Sequence, residues 1–113
     1  MSYSPDEILK AIETLYRNLD ENFDDIYAGC KTDDQRKTLR STFVASRDAY
    51  FKAVKENLCE NNPLVDKITS DLNNTNQNIA ADLQGIQDIV EFIKLCSAAV
   101  QLADSLAKLA AAA

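Results

Sequence analysis

The residues best placed to do chemistry in this 113-residue sequence are Cys30 and two clusters of carboxylates. Cys30 stands between Gly29 and Lys31, beside the start of a predicted helix, a setting that favours the thiolate. A cysteine nucleophile also needs a general base, and the sequence has no histidine. The ordinary role for Cys30 is a small apolar residue packed just past a glycine cap, and that is the role expected of it. Asp20, Glu21, Asp24 and Asp25 form one carboxylate cluster, Asp33 and Asp34 the other. Asp20 and Asp24 have the helical spacing to share a hard cation. The glycine and ligand spacing of an EF-hand loop are missing, however, as is the Glu-x-x-His of a di-iron site. The first cluster therefore reads as a solvated acidic face, and the second as the start of a helix. With two glycines in all, there is no phosphate-cradling loop either. No catalytic, cofactor-binding or metal-ligating residue is assigned, and an enzyme is not expected.

The stretch SRDAYFKAVKENL, residues 46–58, mixes Arg47, Lys52 and Lys55 with Tyr50 and Phe51. Interleaved basic and aromatic residues can bind single-stranded nucleic acid. Here Tyr50, Phe51, Val54 and Leu58 follow the spacing of a helix core, so they are expected inside. The formal net charge is −6, and a nucleic-acid binder needs a basic stripe that displaces counterions. No nucleic-acid partner is expected. The charge is uneven: residues 1–30 carry net −5, residues 31–62 net +2 and residues 63–113 net −3. The first two segments are therefore suited to lie side by side. Three cysteines without a CxxC pair read as reduced thiols. The N-terminus lacks the charged and apolar regions of a secretory signal. A cytoplasmic location is expected, with signal-independent export left open.

These residues must be held by helices. Ser4, Pro5, Asp6 and Glu7 are the start signals of the first, with an apolar face at Ile8, Ile12, Leu15, Leu19 and Ile26. Gly29 is expected to end it in the left-handed conformation. Thr32 to Gln35 is a capping box for the second, whose expected inner face is Leu39, Phe43, Tyr50, Val54 and Leu58, flanked by Val44 and Phe51. Asn62-Pro63 stops that helix and starts another. No strand pattern occurs. The fold class is all-α in a single domain over residues 1–113: an antiparallel hairpin of about 5–28 and 33–61, followed by a C-terminal helical segment of about 63–110.

The last segment admits two readings. Residues 70–78, SDLNNTNQN, are polar and asparagine-rich, as loops are. Yet Leu72, Ile79, Ile86, Ile93, Val100 and Ala107 recur seven apart across it, a register that an unbroken helix preserves. The preferred reading is one helix of about 72 Å, with Gly85 at a close backbone approach. A break near 73–78 gives a four-helix bundle instead. The first two helices, about 36 and 42 Å long, cannot cover the longer form. Its apolar end, including "SAAVQLADSLAKLAAAA" (97–113), would then need another molecule to cover it. The expected interface is Ile86, Ile89, Ile93, Cys96, Val100, Ala103 and Ala107. The expected function is non-enzymatic protein–protein association, by self-assembly or capture of a protein partner. The alternative is a membrane-active helix over residues 92–113, as a pore component or lipid-surface binder. It is disfavoured because interfacial helices are usually rich in Lys and Arg.

Overall fold

Four helix starts organise the chain, and each is built from side chains that satisfy otherwise orphaned backbone N–H groups. In the computed structural model, which describes residues 3–56, 58 and 62–111, helix α1 spans Pro5–Gly29, α2 Asp33–Lys55, α3 Pro63–Asp82 and α4 Ile89–Ala110. The Ser4 hydroxyl accepts from the Glu7 N–H at 3.2 Å, and the Glu7 carboxylate accepts from the Ser4 N–H at 2.9 Å. Thr32 and Gln35 make the same reciprocal pair for α2. The Asn62 side chain accepts from the N–H groups of Leu64 and Val65. These three starts match the sequence reading. The fourth does not: Asp88 accepts from Val90 and Glu91 at 3.0 and 3.2 Å and opens a helix of its own.

The C-terminal segment is thus two helices, not one, and the reversal lies at Leu83–Asp88 rather than at 73–78. The asparagine-rich stretch is helical because its inward positions are used. Leu72 and Ile79 are fully buried, and Asn76 donates its Nδ2 to the Ala11 carbonyl of α1 at 2.9 Å. Thr69 and Thr75 donate their hydroxyls to the carbonyls one turn back. Tertiary packing overrides the weak helix propensity of asparagine here. The seven-residue register survives the reversal for a simple reason. Leu72 and Ile79 on α3, and Ile93, Val100 and Ala107 on α4, all face one core, so each helix keeps its own phase without continuity between them.

The helices run alternately up and down. Two bonds tie α1 to α3 in parallel: the Tyr3 N–H donates to Asp66 at 3.0 Å, and Asn76 reaches Ala11 further along. Helix α4 packs on all three others, while α2 and α3 lie at opposite corners and do not pack on each other. The molecule measures 43 × 23 × 19 Å, so the 72 Å rod of the preferred sequence reading is replaced by a helix folded back onto its own chain. The core draws on every helix, with Ile8, Leu15, Leu19, Leu39, Leu72, Phe92 and Leu106 among its most enclosed side chains. Burying one such side chain contributes about 1.5–3 kcal/mol relative to leaving it in water.

Two further expectations are corrected. Helix α2 stops at Lys55, where the Glu56 N–H bonds to the Ala53 carbonyl at 3.2 Å; of the helix expected to run on to 61, residues 57 and 59–61, Cys59 among them, lie outside the described residues. Neither glycine takes the left-handed conformation, and nothing approaches a Cβ at Gly85 within 4 Å. At the end of α1 the chain leaves through Cys30 in an extended conformation, its N–H bonded to Tyr27. A Cβ on Gly29 would meet only the Ile89 methyl at 3.8 Å, an ordinary contact. Gly29→Ala is therefore expected to stabilise the protein by about 0.5 kcal/mol, by lowering the entropy of the unfolded chain. Thermal melts should show a midpoint raised by about 2–4 °C; a lower midpoint would show that this helix end needs glycine.

Candidate association surfaces

The structure removes the two described thiols from consideration as reactive groups. Cys30 is 6% exposed, and its thiol donates to the Ile26 carbonyl at 3.5 Å. Burial pushes its pKa up, against the pull of Arg36. Cys96 is fully enclosed, and burial, reinforced by Asp82, pushes its thiol up to about 12. Among the described residues no group of three potential ligands is placed to hold a metal ion. Tyr50 donates its hydroxyl to Glu13 at 2.9 Å, and this bond, with burial and the Glu13 charge, raises its pKa. That pair ties α1 to α2.

Of the seven residues expected at an interface, five belong to the chain's own core. Ile93, Cys96, Val100, Ala103 and Ala107 are all under 9% exposed, covered by α1, α2 and α3 rather than by another molecule. The correction follows from the reversal at Leu83–Asp88, which supplies the missing cover internally. Ile86 and Ile89 differ. They are half-buried and, with Leu83 and Val90, provide the apolar wall of a pocket of about 690 Å³ at the end where α1 meets α2 and α3 meets α4. Asp25, Lys31, Gln35, Gln87 and Asp88 line the same pocket and make its surface as much polar as apolar. Val90 is 42% exposed.

A second surface lies along α2, where sequence reasoning placed core. Val44, Phe51 and Val54 are 39%, 46% and 50% exposed. The face of α2 that is buried carries Leu39, Thr42, Ser46, Ala49 and Ala53 instead. These residues, small apart from Leu39, face inward toward the two helices on which α2 packs, α1 and α4. The aromatic residues of α2 turn toward the outer seam with α1. There Tyr16 stacks on Tyr50 at 5.4 Å between ring centres, Phe43 meets Phe23 at 5.1 Å, and Phe51 leans on Tyr16 at 6.0 Å. Arg40 lies over the Tyr27 ring at 5.7 Å. Phe51 thus has one side supported and the other open to water. The helical spacing of Thr42, Ser46, Ala49 and Ala53 was the available signal for this rotation, because small residues also mark a helix face that meets another closely.

Comparisons with protein-family models, with curated proteins and with solved structures give no match.

The two described thiols give a direct check on the packing. In a Cys59→Ser background at about pH 8, where an ordinary thiol is partly ionised, a charged thiol reagent should leave Cys30 and Cys96 unmodified until the protein is denatured. Fast labelling of Cys96 in the native state would contradict its burial. A folded thiol that holds its proton to higher pH than the unfolded one supports folding fully below its ordinary pKa of 9.0. That support should fade as pH climbs from there toward about 12, and Cys96→Ala should flatten the fall.

Proposed function

We propose that this helical bundle acts without catalysis, by association with another protein through the apolar surface that its own fold leaves open. The observation that carries the reading is the pocket at the α1–α2 and α3–α4 end. Leu83, Ile86 and Ile89 line it half-buried and Val90 stands exposed beside them, although the chain encloses the rest of the α4 apolar face. A concave site that sets apolar side chains beside convergent polar groups is a usual form of a recognition site. The absence of histidine and the raised pKa values of both described thiols support a non-catalytic role. A membrane-active role would require the apolar face of α4 to leave the bundle, and among the described residues no helix is long and apolar enough to cross a membrane.

The reading is tested by placing a photoreactive amino acid at Val90, and at the exposed polar Gln77 as a control, in the cells that make the protein. Irradiation should yield a discrete cross-linked species from position 90 and not from position 77. Identical profiles at the two positions would overturn it.

A further inference from the structure

We propose that the occupant of the end pocket is a second copy of this chain, which inserts the outward face of α2. The inference rests on the association reading above and deepens it by naming the partner. Its ground is charge complementarity between two surfaces of the same molecule, each of which exposes apolar side chains. The pocket end is acidic. Asp25 and Asp88 line the pocket, and Asp82 and Glu91 border a smaller pocket that shares Ile86 and Asp88 with it. Helices α1 and α3 both end there without a basic residue in the last turn, and α2 and α4 begin there with acidic residues in the first. Lys31 is the sole cation in the pocket wall.

The α2 face is its counterpart. Val44, Phe51 and Val54 account for three of the five large hydrophobic residues exposed among the described residues. Arg40 and Arg47 flank them in sequence, and Lys52 and Lys55 close the helix. Aromatic and arginine side chains dominate the binding energy of protein interfaces, and this face presents both, with Arg40, Val44 and Asp48 lining a shallow groove on it. Phe51 lies sixteen residues beyond the pocket-lining Gln35 on α2, about 24 Å along the axis. One copy can therefore offer its pocket and its α2 face to two different neighbours. Because the contact joins unlike patches, repeated between successive copies it is heterologous and propagates into chains or a ring.

The experiment uses the full chain and light scattering. The unaltered protein should rise in mass above 12.5 kDa with concentration and fall back as salt is added. Phe51→Asp removes the inserted face and Val90→Asp spoils the pocket wall; both positions are exposed, so circular dichroism should remain that of the unaltered bundle. Should Phe51→Asp lose helicity, Val44→Asp replaces it. Each variant alone should bind itself at least about tenfold more weakly than the unaltered chain. Mixed in equal amounts, they should form a one-to-one complex of twice the chain mass, because each retains the surface that the other lacks. A mixture that stays monomeric where the unaltered protein associates would overturn the proposal, as would undiminished association of either variant alone. An unaltered chain that is monomeric throughout would overturn it too. In that case a cross-link from position 90 to a different protein leaves the association reading standing, and its absence ends both.

Discussion

Helix α4 touches each of the other three helices, and the burial it achieves there is what the remaining architecture serves. From Phe92 to Ala110 it turns Phe92, Cys96, Ala99, Ala103, Leu106 and Ala107 inward, each at most 2% exposed. The least polar part of the chain is thereby removed from water without another molecule. The arrangement depends on the reversal at Leu83–Asp88. Asp88 satisfies the first free N–H groups of α4, and the turn carries Ile86 past the end of the bundle. Alanine and threonine on the facing surfaces let the helices approach closely, so dispersion contacts add to the apolar area withdrawn from water.

The same packing decides what is left on the surface. With α2 and α3 at opposite corners, α2 has neighbours on two sides only. Its small residues take the inner positions, and its bulky ones occupy the α1 seam and the rim beyond it. The α1–α2 end, where acidic residues from three helices gather, gains a shallow apolar wall because the α3–α4 turn must begin and end there. Both surfaces are consequences of fitting four helices around one core, and they differ in sign of charge. That difference is the physical basis for assigning them to one another.

Much of this was legible in the residues themselves. The three helix starts at Ser4, Thr32 and Asn62, the all-helical class and the core face of α1 follow from capping chemistry and from apolar spacing, both local properties. The fourth helix was hidden by two non-local facts. Asn76 is helical because the Ala11 carbonyl lies opposite it, and the register from Leu72 to Ala107 reflects a shared core rather than a continuous rod. The rotation of α2 departs from its apolar spacing because Ser46, Ala49 and Ala53, not Phe51 and Val54, take its inner face. Close packing selects small side chains, and hydrophobicity alone does not register that. Of the expected interface, Ile86 lies in the reversal and Ile89 just after it, which keeps both half-buried at the surface.

Native-state hydrogen exchange followed across a dilution series distinguishes a helix α4 covered by its own chain from one covered by another molecule. The amides of residues 93–107 are expected to exchange only through global unfolding, with the same protection at every protein concentration. Protection of those amides that collapses on dilution, while α1 and α2 keep theirs, would show that another molecule covers α4 and would contradict the account.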